Sequence, residues 1–249
     1  MTATVARAAE IDPFPTDSGA LITTVLDTRG VGGRLVRCLV EVPPGATHAG
    51  VAGPGGELWF VTAGDGELTC GPEPGQPPAA VSRRLGPDHG SWLPAGTSYD
   101  LRAPESGSVH LDVVALPGPG PEPAPAPPPG PAAPLISDLR SCDVERTGDR
   151  TFRVLFGPGR GCPAATQFVG DIPPGRAPVH SHTYDEVVLV LAGAGIAHVA
   201  GAEHEIGPGT CVYLPPGQQH CLENPGPAML RVLGVFQPGG SPAAKKEAP

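Results

Sequence analysis

Residues 178–190 read PVHSHTYDEVVLV and place two histidines and a glutamate directly before an apolar run. Side chains two positions apart in a strand lie on the same face, so His180, His182 and Glu186 share one parity. The run VVLV continues the strand into an apolar interior. The segment therefore predicts a strand with one buried end and a polar trio near the mouth of a barrel.

Three polar groups that converge inside a barrel are costly to bury without a partner. A divalent cation satisfies two imidazoles and a carboxylate together. A fourth ligand is expected from another strand, and the segment 209–224, GTCVYLPPGQQHCLEN, offers His220 directly after its LPPG turn. The expected metal ligands are His180, His182, Glu186 and His220.

The chain also contains two copies of one sequence unit. The matching pairs are LVEVPPG (39–45) with FVGDIPPG (168–175), ELWFVTAGDGEL (57–68) with EVVLVLAGAGIA (186–197), and LGPDHGSWLPAGTSYDLRAP (85–104) with IGPGTCVYLPPGQQHCLENP (206–225). The first copy has about eight extra residues between Cys70 and Leu85, which we expect to form a surface loop. The repeat predicts two domains of the same fold.

The composition favours strands joined by many turns. Short runs of Val, Leu, Ile, Phe and Thr are bounded by PPG, AGAG and GPG, and no segment sustains a period of 3.6 residues. The 36 glycines and 35 prolines exceed ordinary usage, while only 16% of the residues are charged. We therefore predict an all-β chain in which each copy is an antiparallel barrel or jelly roll of about 100 residues.

The repeat and the proline distribution give the expected domain organisation. It comprises an N-terminal arm (1–21), an N-terminal barrel (22–116), a Pro-rich linker (117–134), a C-terminal barrel (135–238) and a disordered polar tail (239–249). The linker PGPGPEPAPAPPPGPAAP favours extended polyproline II and cannot form a central strand. A role as a Pro-rich ligand for a partner's groove remains open.

Charge, hydropathy and cysteine usage exclude several classes of protein. The net charge is −9 and the basic residues are scattered, which disfavours nucleic acid as a partner. No run approaches the roughly 18 apolar residues of a membrane span, and the start MTATVARAAEIDPFPTD lacks the pattern of a secretory leader. We expect a cytoplasmic protein whose six cysteines, none in a CxxC pair, are reduced thiols.

The two histidine-bearing segments resemble the two motifs of the cupin superfamily. The first motif is present as Gly175, His180, His182, Glu186 and Gly193, with one residue fewer than usual between the first glycine and the first histidine. The second is present without deviation as Gly209, Pro215, Gly217, His220 and Asn224. The resemblance implies a bicupin, with two double-stranded β-helix barrels in tandem. It also implies that the four predicted ligands hold one divalent transition metal, which can be Fe, Mn, Ni, Co, Cu or Zn.

The N-terminal copy departs from the motif at the ligand positions. When Glu57 is aligned with the glutamate of the second copy, Val51 and Gly53 occupy the positions of the two histidines, and Tyr99 that of the third. One carboxylate does not hold a metal, so this barrel is expected to be a packing partner without a metal site. We expect the remaining histidines of this half at the surface or in turns: His48, His89 and His110.

Four protein ligands leave two positions of an octahedron for a substrate oxygen, water or dioxygen. The expected function is a metal-dependent enzyme acting on a small oxygenated metabolite, with a dioxygenase placed slightly ahead of an isomerase, decarboxylase or lyase. The rival hypothesis is a non-catalytic cupin that binds a small ligand. Exposed strand edges make a homodimer the expected assembly if the protein is not monomeric.

Several other residues are candidates for catalytic or substrate-binding roles. Tyr184 shares the parity of the ligands, although a bend in the chain would turn it outward. His198, in the segment IAHVA, is a candidate general base or a packed histidine, and Gln218 could bond a substrate oxygen or lie in a solvated turn. Arg176 and Arg231 are candidates for binding a substrate carboxylate.

Overall fold

The structure is a computed structural model that describes residues 4–71, 81–118, 135–243 and 246–247. Most of the predicted surface loop and of the Pro-rich linker lies outside these residues. The described chain is built from strands and three short 3-10 helices, Ala8–Glu10, Thr28–Val31 and Leu139–Ser141. In this part of the chain, no helix has the length and hydropathy needed to cross a bilayer.

The strands follow the repeat seen in the sequence. In the first half they are β1 Thr4–Arg7, β2 Phe14–Pro15, β3 Leu21–Asp27, β4 Val36–Val42, β5 Thr47–Val51, β6 Glu57–Ala63, β7 Gly66–Gly71, β8 Val81–Leu85, β9 His89–Leu93, β10 Ser98–Arg102, β11 Val109–Ala115 and β12 Leu135–Asp138. In the second half they are β13 Glu145–Thr147, β14 Arg150–Phe156, β15 Thr166–Ile172, β16 Gly175–Arg176, β17 His180–Ser181, β18 Asp185–Ala192, β19 Gly195–Val199, β20 Ala202–Ile206, β21 Thr210–Leu214, β22 His220–Asn224, β23 Leu230–Gln237 and β24 Lys246–Glu247.

The chain divides into two compact units. The N-terminal unit comprises residues 12–24 and 36–140, and the C-terminal unit comprises residues 1–11, 25–35 and 141–249. Each unit contains its own pair of sheets with an apolar core between them. The prediction of an all-β chain with two jelly-roll barrels in tandem is therefore confirmed.

In the N-terminal unit, one sheet has the strand order β12-β9-β6-β11-β4-β3-β2 and the other the order β5-β10-β7-β8. Side chains from both sheets meet in one core cluster, to which β6 contributes Trp59 and Val61, β7 contributes Leu68, and β10 contributes Leu101. These residues alternate along their strands because successive side chains of a strand point to opposite faces.

The C-terminal unit repeats this arrangement. One sheet has the order β1-β21-β18-β23-β15-β14-β13, and the other has the order β20-β19-β22-β17-β24, with β16 also paired to β22. Val188 and Val190 of β18 pack in the core cluster with Ala197 of β19, Leu222 of β22 and Val232 of β23. The VVLV run thus enters the core, as the sequence predicts.

Gly64 and Gly193 show that the two copies share turn geometry as well as strands. Each glycine follows the β6 or β18 strand and adopts a positive φ, 77° and 81° respectively. A Cβ at Gly64 would lie 2.0 Å from the carbonyl oxygen of Ser108, and one at Gly193 would lie 2.4 Å from that of Met229. Both positions therefore require glycine for the same two reasons, backbone conformation and lack of space.

Two short strands lie in a different place from the expected domain organisation. Strand β1 was expected in the N-terminal arm. It pairs instead with β21, and Val5 packs against the core of the C-terminal unit. Strand β12, expected to begin the C-terminal barrel, instead pairs with β9 in the N-terminal unit. Each short strand supplies backbone partners to an edge strand that would otherwise have unpaired N–H and C=O groups.

The C-terminal tail, expected to be disordered, is anchored at two points. The Thr166 hydroxyl donates to the carbonyl oxygen of Gly240 at 2.9 Å and accepts from its N–H at 2.9 Å. Further on, the backbone of β24 pairs with β17, with Glu247 opposite His180. Hydrogen bonds from a side-chain hydroxyl and from backbone groups thus hold these parts of the tail.

None of the six cysteines forms a disulfide. Five of them are buried and Cys38 is half-buried. Burial raises the pKa of the Cys70 and Cys162 thiols to about 11 in each case, so both stay protonated near neutral pH.

Candidate metal centre

The predicted trio is not carried by a single strand. His180 begins the short strand β17, whereas Glu186 lies at the start of β18 in the other sheet, and the chain bends across 182–184 between them. The expectation of one continuous strand was wrong, because the chain has to change sheets at this point. The bend nevertheless directs His180, His182 and Glu186 into the same cavity.

His220 comes from strand β22 and reaches the same place. Strands β17 and β22 are antiparallel, and His180 lies directly opposite His220 in their register. The LPPG turn before β22 ends at Gly217, which adopts φ 78°, and the N–H of Gly217 donates to the carbonyl oxygen of His182 at 2.7 Å. The turn thus ties the two histidine-bearing segments together.

Three imidazoles converge inside the C-terminal unit. The ring centroids of His180 and His220 are 4.5 Å apart, and those of His182 lie 4.9 Å from each of the other two. One nitrogen of each ring lies within 4.8 Å of the corresponding nitrogens of the others. All three residues are buried, with 8%, 8% and 4% of their surface exposed for His180, His182 and His220. The sequence-based prediction brought these residues together correctly.

Backbone carbonyls fix the tautomers of two of these histidines. Nδ1 of His180 lies 3.0 Å from the oxygen of Pro178, and Nδ1 of His220 lies 2.8 Å from that of Gln218. A carbonyl only accepts, so each Nδ1 carries the proton and each Nε2 is the unprotonated nitrogen. Burial lowers the pKa of His220, which further favours its neutral form. Both rings therefore present a metal-binding nitrogen to the cavity.

The ring of His182 is held by a different kind of contact from those of His180 and His220. Its Nδ1 is buried, and the described residues provide no hydrogen-bond partner for it. The ring stacks on Tyr184 with centroids 4.5 Å apart and an interplanar angle of 11°, and Tyr184 in turn stacks on Phe236 at 4.2 Å. Aromatic packing thus holds this ring where the other two are held by carbonyl groups. Tyr184 remains buried beside the cavity even though the chain bends before it.

Glu186 supplies the acidic group of the site. Its Oε2 lies 3.2 Å from Nε2 of His182, and only 5% of the residue is exposed. Burial alone would raise the pKa of Glu186, but the hydrogen bond from His182 and the charge of the imidazoles outweigh it, so the pKa is lowered. The carboxylate is therefore ionised at neutral pH, as a metal ligand must be.

This donor set fits one divalent transition metal. It contains three imidazoles and one carboxylate without thiolate, a combination suited to borderline cations such as iron, manganese, cobalt, nickel, copper and zinc. The close spacing of the three imidazole nitrogens suits a common ion. The N-terminal unit offers no comparable group of histidines, cysteines and carboxylates among its described residues.

The site opens into a cavity of about 90 Å³. Since about 10–15 Å³ of such space is enough for one water molecule, the cavity accommodates a small molecule of several heavy atoms. Its wall is apolar over most of its area and includes Phe152 and Phe168, as well as Pro242 from the tail. The cavity is thus small, and most of its wall offers no hydrogen bond.

Other residues suggested by the sequence lie away from the cavity. His198 contacts Glu223 at 2.7 Å through Nε2 and Glu203 at 3.3 Å through Nδ1, and it is absent from the cavity wall. The side-chain amide of Gln218 donates to the carbonyl oxygen of Gln219 at 3.0 Å. The structure therefore places His198 between the carboxyl groups of Glu203 and Glu223. Gln218 acts on the site through the backbone carbonyl that orients the third histidine.

The two arginines suggested for binding a substrate carboxylate lie outside the cavity wall, whereas an arginine that the sequence did not suggest lies in it. Arg176 is exposed beside Glu223 and Arg231 lies beside Asp171, and neither lines the cavity. Arg150, the first residue of β14, does line it. It lies outside both motifs, and only the pairing of β14 with β15 brings it to this wall.

The corresponding region of the N-terminal unit is filled by aromatic rings. His48 is buried between Trp59 and Tyr99, with ring centroids 5.5 Å and 5.2 Å away, which corrects the expectation of a surface histidine. Glu57 accepts from the indole Nε1 of Trp59 at 2.9 Å and from the N–H of Gly53 at 3.2 Å. The glutamate that this copy keeps at a ligand position thus accepts hydrogen bonds from two neutral groups.

Comparisons with known proteins agree with this architecture. Residues 168–236 match the family model of the cupin domain. A mutant of Bacillus subtilis oxalate decarboxylase with a single serine-to-alanine substitution has a TM-score of 0.75 and 14% identity, over 99% of this chain and 79% of that one. A structure from work on the substrate binding mode of oxalate decarboxylase has a TM-score of 0.75 and 15% identity, with the same coverage.

A third similar structure comes from work on the Mn(II) centres of Bacillus subtilis oxalate decarboxylase. It has a TM-score of 0.75 and 14% identity, and covers 99% of this chain and 79% of that one. No curated protein matches the sequence. At these identities, the likeness to the solved structures concerns the fold.

Proposed function

Because residues 168–236 match the cupin domain and the whole chain has the tandem-barrel fold of the bicupins, we propose that it is a metal-dependent enzyme of the cupin superfamily. The reaction takes place in the cavity of the C-terminal unit, on a small oxygenated metabolite. The observation that carries the proposal is the convergence of three buried imidazoles within 4.8 Å, next to an ionised carboxylate. An arrangement of this kind is costly to bury unless it binds a cation.

The protein residues would hold the metal and shape the space beside it. His180, His182, His220 and Glu186 are the ligands, and the carbonyls of Pro178 and Gln218 keep two of the imidazoles in the metal-binding tautomer. When bound, the metal supplies Lewis acidity to a substrate oxygen. The apolar wall limits the number of water molecules around the substrate, which strengthens electrostatic interactions inside the cavity.

Non-oxidative cleavage or isomerisation is the reaction class we place first. The small cavity supports it, and several proteins of the same fold are oxalate decarboxylases. Dioxygenation is the second candidate, because a set of imidazoles and one carboxylate also suits redox-active iron. Tyr184 is the one proposed catalytic side chain that lines the cavity.

Metal analysis of the purified protein tests the proposal. We expect one divalent metal per chain, measured by plasma mass spectrometry, and loss of that metal in His180→Ala and His220→Ala. His89→Ala serves as the matched control, since His89 lies in the N-terminal unit with Nδ1 3.0 Å from the oxygen of Gly86. Full metal content in both cavity variants would refute the ligand assignment.

The reaction class can be separated in a second experiment. The metal-loaded protein is incubated with small hydroxy, keto and dicarboxylic acids, with and without dioxygen, while oxygen consumption and carbon dioxide release are recorded. Turnover without oxygen consumption supports the non-oxidative reaction, whereas oxygen consumption in step with turnover supports dioxygenation. Tight metal binding with no turnover of any acid would favour the non-catalytic alternative.

A further inference from the structure

Arg150 occupies an unusual position in the wall of the metal-bearing cavity. It is half-buried, and its Nη2 donates to the carbonyl oxygen of Leu222 at 2.6 Å. This bond crosses from β14 to β22, the strand that carries His220, and fixes one edge of the guanidinium. The cation is therefore held in place next to the metal site instead of extending into solvent.

Among the described residues, no carboxylate forms an ion pair with the guanidinium. The described residues place no carboxylate within 4.0 Å of Arg150, and its bond to Leu222 uses one of five N–H donors. Burial lowers the pKa of Arg150, and the neighbouring charge of Asp149 offsets this only in part. An arginine stays protonated in proteins, so this side chain carries a partly desolvated positive charge.

The described part of the cavity wall contains few other charged side chains. Arg150 is the only lysine or arginine among the described residues that line the cavity, and Glu186 is the only acidic residue. With a divalent metal bound, the positive charge therefore exceeds the single negative charge of Glu186. The protein as a whole carries a net charge of −9, so a metal-loaded cavity would be positive within an acidic chain.

From this placement we infer that the natural substrate is a small carboxylate anion, with Arg150 binding its carboxylate while the metal binds another of its oxygens. The inference rests on the proposed function and specifies its substrate class. The planar fork of arginine presents paired N–H groups that match the two oxygens of a carboxylate. The volume of about 90 Å³ suits a small anion. Arg150 is thus a substrate-binding residue that selects for charge.

Binding of glycolate and of its uncharged analogue glycolamide tests the inference. Both molecules have the same size and a hydroxyl for the metal, so they differ mainly in charge. Each is titrated by calorimetry into metal-loaded wild-type protein and into Arg150→Gln, Arg150→Lys and Arg153→Gln. Arg153 is the matched control, because it lies on the same strand outside the cavity wall, beside Asp171.

We expect Arg150→Gln to weaken glycolate binding by about ten- to hundredfold and to leave glycolamide binding unchanged. Arg150→Lys should recover part of the glycolate affinity, and Arg153→Gln should match the wild type. Equal glycolate affinity in Arg150→Gln and wild type would overturn the inference, as would no glycolate binding by the wild type. An equal loss of glycolate and glycolamide would also overturn it, since it would show a structural effect.

Failure of the proposed function gives a different result. Metal content is measured for every variant, and a wild type without bound metal would contradict the metal-dependent enzyme directly. Titration of the metal-free protein with glycolate still compares Arg150→Gln with the wild type in that case. The two conclusions can therefore fail separately.

Discussion

The two barrels keep a glutamate at the same place but surround it with different partners. Glu186 faces three imidazoles, and its Oε2 lies 3.2 Å from Nε2 of His182. Glu57 instead accepts from the indole N–H of Trp59 at 2.9 Å and from the N–H of Gly53 at 3.2 Å. The first carboxylate is left with lone pairs for a cation, and the second is satisfied by neutral donors. The neighbours, and not the carboxylate, decide which barrel can bind a metal.

The cross-strand pairs next to these glutamates differ in the same way. In the C-terminal unit, His180 lies opposite His220, and the two rings fill the space between strands. In the N-terminal unit, Gly50 lies opposite Tyr99, and a Cβ at Gly50 would come within 2.7 Å of the tyrosine hydroxyl. A histidine in place of Gly50 would therefore clash with the side chain of Tyr99.

The largest expected effect comes from removing the charge of each glutamate in turn. Glu186→Gln should weaken metal binding by more than about a hundredfold, because a neutral amide replaces a charged ligand in a buried site. Glu57→Gln should leave metal content unchanged, since the amide oxygen can still accept from Trp59. Competition with a chromogenic chelator measures the metal affinity of each variant. Comparable metal loss in the two variants would mean that the N-terminal barrel also contributes a metal site.

The sequence predicts the strands and the convergence of the proposed ligands for a physical reason. The repeat and the two motifs encode local turn geometry and face parity, and these bring His180 and His220 to opposite positions on paired strands. The bend between β17 and β18 could not be read from parity, because a run of alternating residues does not show where a chain changes sheets. The ligand set was nevertheless predicted, since the bend preserves the direction of the side chains into the cavity.

Features that depend on distant pairing could not be predicted in this way. Strand β1 is short, and its partner β21 lies far along the chain, with Thr4 opposite Tyr213. Arg150 reaches the cavity because β14 is next to β15 in the sheet, and no local pattern signals that neighbour. The roles suggested for His198 and Gln218 came from closeness in sequence to the ligands, which does not determine where a side chain points.

A smaller effect is expected from the turn glycines, where the two barrels should behave alike. Gly64→Ala and Gly193→Ala should each lower the free energy of unfolding by about 2–3 kcal/mol, since both combine a positive φ with a close backbone oxygen. Gly201→Ala is the control, because Gly201 has φ 79° but no atom within 4 Å of its added Cβ. Gly201→Ala should lower the free energy of unfolding, measured in urea, by only about 1 kcal/mol. If Gly193→Ala lowers the free energy of unfolding by no more than Gly201→Ala does, the backbone of the Gly193 turn can move to make room.

The smallest expected effect concerns pH and tests whether His48 is truly enclosed in the N-terminal barrel. Burial lowers the pKa of His48 from 6.5 to about 4, so the folded state holds the imidazole neutral while the unfolded state takes up a proton below pH 6.5. The stability from this group is complete above pH 6.5 and is lost as the pH falls toward 4. Between about pH 7 and pH 5 the loss is about 2 kcal/mol.

His48→Leu should remove this part of the pH dependence of urea unfolding while retaining the ring-filled interior. Carboxylates and the metal-site histidines titrate equally in both proteins, so the difference between the two pH profiles isolates His48. Parallel profiles for His48→Leu and wild type would place a protonated imidazole inside the folded barrel. An acidic partner for His48 would then be required, and the N-terminal interior could not be the neutral aromatic counterpart of the charged metal site.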